Sequence, residues 1–432
     1  MRSNLVKPPL KTSATMAVNA RINELMAEGH HVFHLGFGET KFPVHPKILA
    51  AFREHAAQRS YLPVAGLPEL RSQVAHYYRR KFQIQAEAGQ VIIGSGSKSL
   101  IFAAIQALAG DVILPAPTWV SYDTQAYLAG KAVSWIPTRL ADNYCLTPEG
   151  FRAGLRAARA AGQSPGILVL NSPGNPTGVV YPAQLLSELA NVAREEGLVI
   201  VSDEIYALTT YGEIAHTSMA LHYPEGTIVT GGLSKHLSLG GWRLGVAILP
   251  PSQFGAELQR YMTAVASSIW TTATAPVQYA ALVAYSDDPD IDAYVEACTT
   301  IHGYVTNYLY QTLRTLEVPC PKPAGGFYLY PNFTPWRKAL AQKHNVHTSQ
   351  DLAHFLLDEE HIAAMPGSDF GDTPEALSLR LATSYLYALN DEEAESMLDA
   401  YHKNLPPFQF LQEASPQVIE VGKRLQALVG SL

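Results

Sequence analysis

The chain has 432 residues, 47% of them hydrophobic, and a formal net charge of −7. This length allows a large core and two structural domains, and no acidic or basic block indicates a nucleic-acid or membrane partner. Residues 1–20 contain no apolar run of signal-peptide length. The three cysteines are scattered, without metal-ligand or disulfide spacing. We therefore expect a soluble cytoplasmic protein with no bound metal.

The middle of the chain alternates short apolar strands with helical patterns. The predicted strands are Val91–Ile93, Asp111–Leu114, Ile167–Leu170, Leu198–Ser202, Thr227–Thr230 and Leu244–Leu249. The predicted helices between them span about 97–108, 148–161 and 182–196. This alternation predicts an α/β fold with a mainly parallel sheet that is covered on both faces.

The C-terminal part has a different pattern, which is typical of a smaller α+β domain. A long helix is predicted from about Ile291 to Leu316, and a last helix from about Pro416 to Leu428. We divide the chain into an N-terminal segment that packs with the small domain (1–45), a large domain (46–300), and a small C-terminal domain with an extra helical tail (301–432).

Polar residues follow the predicted strands at five places. They are Gly94–Gly96, Trp119, Asn171–Asn175, Asp203 and Lys235. Ligands bind parallel sheets beyond the carboxyl ends of the strands. The sequence therefore predicts that these residues form a single site.

Lys235 lies in the stretch Thr230-Gly-Gly-Leu-Ser-Lys-His-Leu-Ser-Leu-Gly-Gly-Trp-Arg-Leu-Gly245. A lysine that is desolvated beside positive charge has a lowered pKa and becomes a usable nucleophile. Arg243, on a glycine-flanked turn, is suited to bind a phosphate. Taken alone, Lys235 is better interpreted as a solvated surface lysine.

Asp203 ends an apolar strand in Val201-Ser-Asp-Glu-Ile-Tyr206. A buried carboxylate needs a partner, and a protonated pyridine nitrogen would supply one. Tyr206, three residues later, could reach a ring hydroxyl. The alternative is that Asp203 is a helix N-cap.

Three further features favour a ring-and-phosphate ligand. Asn171-Ser-Pro-Gly-Asn-Pro-Thr-Gly178 has a rigid backbone that presents the amide of Asn175. The glycine turn before Ser97 opens a helix whose free N–H groups favour phosphate. Trp119 could stack on an aromatic ring, or simply pack in the core.

Arg380 stands in the middle of the apolar strand Ser378-Leu-Arg-Leu-Ala-Thr383. A buried arginine needs an anionic partner. An amino-acid α-carboxylate would supply a bidentate one, and the alternative is an internal ion pair.

Together and in this order, these motifs resemble those of the class I/II aminotransferases of fold type I, which depend on pyridoxal phosphate (PLP). The resemblance covers about Ser13 to His402. Ser13–Ala20 and Gly36–Glu39 are also similar to the prokaryotic-type aspartate and prephenate aminotransferases.

The resemblance implies a role for each candidate residue. Lys235 would form the Schiff base and shuttle the proton, Asp203 would pair with the ring nitrogen, and Tyr206 would complete the catalytic set. The cofactor would be bound by Ser97, Lys98, Trp119, Asn175, Asp203, Tyr206, Ser234, Lys235, Arg243 and Tyr61. The substrate would be bound by Gly38, Lys98, Trp119, Asn175 and Arg380. Because Tyr61 is similar to a tyrosine that reaches the other subunit's phosphate, the active unit would be a homodimer.

Lys98 is the residue that bears on the substrate. A lysine at the equivalent position contacts the distal carboxylate in acidic-substrate members of this branch, so the resemblance implies ping-pong transfer between an aspartate- or glutamate-type amino acid and a 2-oxo acid. A lysine near a helix N-terminus is otherwise unfavourable, although a solvated lysine stays possible. Aromatic, alanine-type or prephenate activity also stays open.

Two features depart from the pattern of the family. The stretch His236–Leu239 is unusual and the C-terminal tail is long, and both bear on the choice of substrate. The unusual stretch also leaves open a PLP-dependent lyase or cyclase on the same fold. A PLP-sensing regulator is disfavoured because the pattern begins near Ser13. A Rossmann-type nucleotide site fails because Ser99 replaces the third glycine of its motif.

Overall fold

The computed structural model describes residues 21–432 except 23, 213, 387 and 389, so the resemblance at Ser13–Ala20 lies outside the described residues. The strands are β1 (Phe33–His34), β2 (Val91–Gly94), β3 (Asp111–Ala116), β4 (Val133–Pro137), β5 (Pro165–Asn171), β6 (Val199–Asp203), β7 (Thr227–Gly232), β8 (Gly245–Ile248), β9 (Tyr328–Leu329), β10 (Ile362–Ala363), β11 (Met365–Pro366) and β12 (Leu379–Ala382). The helices are α1 (Pro46–His55), α2 (Pro68–Phe82), α3 (Ser97–Ala107), α4 (Ser121–Leu128), α5 (Pro148–Ala160), α6 (Ala183–Glu196), α7 (Gln253–Ile269), α8 (Ala275–Ala284), α9 (Pro289–Thr315), α10 (Arg337–His344), α11 (Ser349–Asp358), α12 (Asp391–Tyr401), α13 (Pro407–Ala414) and α14 (Pro416–Ser431).

The main sheet has seven strands in the order β2-β8-β7-β6-β5-β3-β4. All of them run in the same direction except β8, which is antiparallel to its neighbours β2 and β7. The central strands β5 and β6 are almost wholly buried, as expected where helices cover both faces of a parallel sheet. The predicted α/β class with a mainly parallel sheet is confirmed.

The strand register brings the carboxyl ends of the central strands together. Asn171 at the end of β5 pairs with Asp203 at the end of β6, and Asp203 pairs with Thr230 of β7. On the other side, Gly245 at the start of the antiparallel β8 pairs with both Gly94 and Gly232. The segments that follow β2, β5, β6 and β7 therefore meet at one edge of the sheet, as the sequence predicted.

The C-terminal part contains an antiparallel sheet, β11-β12-β9, and a small parallel pair, β1-β10. One apolar cluster joins Phe33 and Leu35 near the N-terminus to Ile301 of α9 and Val418 of α14. Ile291, also in α9, belongs instead to a cluster beneath the main sheet. The predicted boundary at residue 300 thus falls inside α9, and the proposed domain boundaries stay predictions.

The tail after α12 forms the two helices α13 and α14. Phe410, Val421 and Leu425 are buried in the same C-terminal cluster, so the tail is an integral part of that core. Within the described residues, no helix is long and apolar enough to cross a membrane. The same residues contain no group of three His, Cys, Asp or Glu side chains that could hold a metal ion.

Candidate active site

Lys235 lies on the segment after β7, and its side chain points to the loop between β1 and α1. The Lys235 Nζ donates to the carbonyl oxygen of Gly38 at 2.7 Å, and the Thr40 hydroxyl donates to the Lys235 carbonyl at 3.2 Å. Loss of hydration lowers the pKa of Lys235 to about 8, and the positive charge of Arg380 adds to this effect. A substantial share of the amine is therefore neutral near physiological pH, as a nucleophile or base requires.

Asp203 is buried at the carboxyl end of β6. The Tyr122 hydroxyl donates to its Oδ2 at 2.7 Å, and the backbone N–H of Ile205 donates to its Oδ1 at 3.3 Å. Burial raises the pKa of Asp203 to about 6, although these hydrogen bonds oppose the rise. The residues after Asp203 form turns rather than a helix, so the helix-cap alternative is wrong. The site thus contains a carboxylate that a cationic partner would stabilise.

The N-terminus of α3 and Arg243 lie side by side. A Cβ on Gly96 would lie 2.2 Å from Nη2 of Arg243, and a Cβ on Gly245 would lie 2.2 Å from the backbone nitrogen of Ser97. Gly96 also has a φ of +82°, which favours glycine. The absence of side chains lets the guanidinium approach the first turn of α3, where free N–H groups favour an anion. Ser234, immediately before Lys235, is half-buried in the adjacent segment.

Arg380 reaches from β12 to the loop after β5. Its Nη2 donates to the carbonyl oxygen of Gly36 at 2.7 Å, and its Nη1 donates to Oδ1 of Asn175 at 3.3 Å. Its Nε is buried without a hydrogen-bond partner. No carboxylate of the described residues lies within ion-pair distance, so the internal ion-pair alternative is not observed there. A carboxylate ligand would satisfy this buried cation.

Trp119 and Lys98 form the side of the site nearest α3. The Lys98 Nζ lies 4.8 Å from the ring centroid of Trp119. The lysine is exposed, but its ammonium group lies over this ring instead of extending into solvent. Partial burial lowers the pKa of Lys98, and the charge of Arg243 contributes. Trp119 packs edge-on against Tyr122 at 5.2 Å between ring centroids. Its ring is half-buried and thus only partly committed to the core.

Tyr206 completes the set on the side of Asp203. Its hydroxyl oxygen lies 2.7 Å from that of Tyr328, and the Lys235 Nζ lies 5.6 Å from its ring centroid. Tyr61 is not brought into this group within a single chain. Its side chain is 85% exposed, which is unusual for a large aromatic residue.

Four residues that sequence reasoning missed also shape the site. Tyr122 binds Asp203, and Gln125 on the same face of α4 donates to the Lys98 carbonyl at 2.8 Å. Tyr328 contacts Tyr206, and Glu204 accepts bonds from Ser202 and Ser218 at 2.8 Å each behind the turn after β6. The i,i+3 spacing of Tyr122 and Gln125 places them on one helix face, but nothing in the sequence indicates the direction in which that face points.

These residues fit the cofactor that the sequence resemblance implies. PLP combines an anionic phosphate with a ring whose protonated nitrogen is cationic. The N-terminus of α3 with Arg243 offers an anion site, and the buried carboxylate of Asp203 offers a partner for the cationic nitrogen. Lys235, whose amine has a lowered pKa, interacts electrostatically with both Asp203 and Arg243. Charge, burial and the glycine-lined approach at Gly96 all match the group.

Comparison with known proteins supports the family that the sequence motifs resemble. The family described as aminotransferase class I and II matches residues 30–399. An aspartate aminotransferase of Bacillus subtilis is 35% identical over 387 residues, which cover 87% of this chain and 93% of that protein. An aspartate/prephenate aminotransferase of Thermus thermophilus is 31% identical, with coverage of 92% and 97%.

A solved structure supports the fold as well as the sequence match. It is described as an aspartate aminotransferase from Thermus thermophilus with maleate, and it matches with a TM-score of 0.78 at 31% identity. The match covers 92% of this chain and 97% of that chain. The prediction made from the NSPGNPTG, SDEIY and SK…GGWRLG motifs is confirmed: the chain belongs to the aminotransferase class I and II family and is a PLP-dependent aminotransferase of fold type I.

Proposed function

We propose that the protein transfers the amino group of an acidic L-amino acid, aspartate or glutamate, to a 2-oxo acid. The observation that carries this proposal is a lysine beside Trp119 that forms no ion pair with a carboxylate of the described residues. The Lys98 ammonium lies over Trp119 at 4.8 Å, and no carboxylate of the described residues pairs with it. With Arg380, the site offers two cationic groups, one for each carboxylate of a dicarboxylic amino acid.

The two cations have different environments, which suits different tasks. Arg380 is 6% exposed and is fixed by the Gly36 carbonyl and Asn175, so it would bind the α-carboxylate that every amino-acid substrate carries. Lys98 is exposed and held only over an aromatic ring, so it would bind the side-chain carboxylate that distinguishes acidic substrates. The names of the relatives agree, since several are aspartate aminotransferases and maleate is itself a dicarboxylate.

The chain's own groups would perform the remaining steps. PLP, when bound, supplies an electron sink for the charge that develops at the substrate Cα. Lys235 Nζ would take the proton from the substrate Cα and return it to the cofactor carbon on the other side of the substrate nitrogen, which its lowered pKa permits. Asp203 would hold the ring nitrogen protonated, Trp119 would cover the ring and exclude water, and Asn175 would orient the ring hydroxyl. The second half-reaction would use the same groups in reverse, as ping-pong transfer requires.

A lyase or cyclase on this fold was left open because of the stretch His236–Leu239. In the structure His236, Leu237 and Leu239 are at most 6% exposed, and the two leucines pack in the cluster beneath the main sheet. The two leucines are part of the core and His236 is buried, so this stretch supplies no observation that favours the alternative.

An absorbance titration with single amino acids, without an acceptor, tests the transfer itself. With aspartate or glutamate, we expect the visible band of the lysine-bound cofactor to be replaced by the near-ultraviolet band of the aminated cofactor. Release of ammonia and a 2-oxo acid, with the visible band retained, would instead establish an elimination reaction and contradict the proposal.

The variant Lys98→Ser tests the substrate class. We expect kcat/KM for aspartate to fall about 10- to 100-fold, because one charge-assisted hydrogen bond to the substrate is lost, while kcat/KM for alanine stays within about twofold. Steady-state kinetics with both substrates measures this, and Lys338→Ser on exposed α10 is the matched control. Equal losses for aspartate and alanine would remove the basis for an acidic substrate.

We further propose a homodimer in which Tyr61 reaches the other subunit's phosphate site. Its exposed phenol supports this, since a residue that is 85% exposed leaves most of its surface free for contact with another subunit. We expect light scattering to give twice the chain mass of 47.0 kDa. We also expect Tyr61→Phe to weaken PLP affinity several-fold without changing that mass. A monomeric holoenzyme, or unchanged PLP affinity in Tyr61→Phe, would contradict it.

A cytoplasmic location was predicted from the sequence and stays a prediction. Fractionation of cells that express the protein, followed by detection of the chain in each fraction, tests it. Recovery of most of the chain outside the cytoplasmic fraction would contradict it.

A further inference from the structure

Tyr328 contacts three separate parts of the site. It lies in β9 and is 1% exposed. Its hydroxyl oxygen lies 2.7 Å from that of Tyr206, and its ring centroid lies 5.1 Å from Cζ of Arg380. The Tyr328 hydroxyl also packs against Gly38, because a Cβ added at that glycine would lie 2.1 Å from it. The carbonyl oxygen of Gly38 accepts the hydrogen bond from Lys235. Tyr328 therefore bridges the groups assigned to the ring, the α-carboxylate and the lysine.

The hydroxyl bond between the two tyrosines has a preferred direction when the cofactor is bound. A phenol has a single hydroxyl proton. If Tyr206 donates that proton to the ring hydroxyl oxygen of PLP, only Tyr328 can donate in the bond to Tyr206. Donation to the Tyr206 oxygen polarises its O–H group and strengthens the bond that Tyr206 makes onward.

The surroundings support this direction and fix the geometry. Burial raises the pKa of both phenols and Arg380 opposes the rise in both, but the pKa of Tyr206 is raised further, so Tyr328 is the better donor. The rings of Tyr206 and Tyr328 are nearly perpendicular, at 86°, and Phe327 packs on the Tyr206 ring edge-on at 5.6 Å. The Tyr206 hydroxyl therefore has little freedom to turn to another partner.

We propose that Tyr328 is a positioning residue that acts through Tyr206, by donating to its hydroxyl and directing the Tyr206 proton to the ring oxygen of the cofactor. This inference rests on the proposed function, because it takes Tyr206 as the partner of that oxygen. The contact with Arg380 places the same tyrosine next to the group assigned to the substrate carboxylate. Substrate recognition and the hydrogen bonding of the ring thus share one side chain.

The variant Tyr328→Phe removes only the hydroxyl and keeps the buried ring. We expect the pH midpoint of the visible absorbance of the lysine-bound cofactor to rise by roughly half a unit, which corresponds to one neutral hydrogen bond. The rise follows because a weaker bond from Tyr206 leaves more negative charge on the ring oxygen, which holds the proton on the Lys235 nitrogen more firmly. Spectrophotometric titration of the holoenzyme measures the midpoint.

Two further variants make the test specific. Tyr330→Phe is the matched control, because the Tyr330 hydroxyl donates to Asp372 at 2.8 Å, and its midpoint should equal that of the wild type. In a Tyr206→Phe background, Tyr328→Phe should add no further shift, because its effect passes through Tyr206. We also expect Tyr328→Phe to lower kcat for aspartate more than it changes KM.

The charged groups that face the tyrosine pair are Lys235, Asp203 and Arg380, with Glu39 beside Lys235. All of them are kept in these variants, so a shift reports the removed hydroxyl. An unchanged midpoint in Tyr328→Phe, or an equal shift in the Tyr206→Phe background, would overturn the inference. The wild-type titration with aspartate tests the proposed function separately, because the pH midpoint is measured without substrate.

Discussion

Replacement of Lys235 by alanine is expected to remove the visible absorbance of the lysine-bound cofactor and nearly all turnover. Among the described residues, Lys235 is the amine whose Nζ reaches the Gly38 carbonyl beside the Tyr206 ring. A positioned acid–base group contributes about 10²- to 10⁴-fold in rate, and the loss should be at least this large. Single-turnover measurement with aspartate determines it.

A control separates this loss from general damage to the enzyme. Lys403→Ala, on an exposed residue after α12, should keep both absorbance and turnover. Because the anion site at α3 and Arg243 is unchanged, Lys235→Ala should still bind PLP without a covalent bond. Turnover in Lys235→Ala within tenfold of the wild-type rate would show that another group moves the proton.

The variant Asp203→Asn is expected to have opposite effects on activity and on stability. Activity should fall by about two or more orders of magnitude, because a neutral amide cannot hold a proton on the ring nitrogen. Asparagine keeps an oxygen acceptor, so most of the local hydrogen bonds survive. Steady-state kinetics at saturating PLP measures the loss, with Asp372→Asn near β12 as the control.

The cofactor-free form of Asp203→Asn should be more stable than the wild type at neutral pH. Burial raises the pKa of Asp203 from 3.8 to about 6, so the folded protein binds this proton more tightly than the unfolded chain. The free-energy cost of ionising the buried Asp203 is therefore absent below about pH 4 and complete above pH 6. Because Asp203→Asn removes this cost, we expect its free energy of unfolding at pH 7 to exceed that of the wild type by about 3 kcal/mol.

Urea unfolding of the two cofactor-free proteins at several pH values tests this linkage. We expect the difference in free energy of unfolding to shrink to about half at pH 5 and to vanish below pH 4. A difference that does not change with pH would mean that repacking, rather than the buried charge, separates the variants. Asp203 is thus a functional group that destabilises the folded protein.

The sequence by itself determined the fold class and the edge of the sheet where the candidate site lies. Short apolar strands alternate with helices, and polar residues such as Asn171, Asp203 and Lys235 follow those strands. Because parallel strands end at one edge of a sheet, these residues had to meet. The motifs carry the family because each needs particular residue types, a lysine, a carboxylate and a phosphate-binding arginine, at fixed places after a strand.

Only the tertiary structure decided which side chains complete the site. Tyr122 and Tyr328 carry no local signal, since a tyrosine in a helix or a strand is usually a core residue. They join the site because of how α4 and β9 pack. This packing brings Tyr122 into contact with Asp203, which is 81 positions away in the chain, and Tyr328 into contact with Tyr206, which is 122 positions away. Such long-range contacts depend on how whole elements pack.

The charges of the site were decided in the same way. Sequence shows that Lys235, Asp203 and Arg380 can ionise, but not how much water each loses on folding. The pKa of Lys235 falls to about 8 and that of Asp203 rises to about 6 because both lose hydration. This loss of hydration arises only in the folded protein, because the surrounding helices and loops exclude the water. It therefore cannot be predicted from a linear pattern of residues.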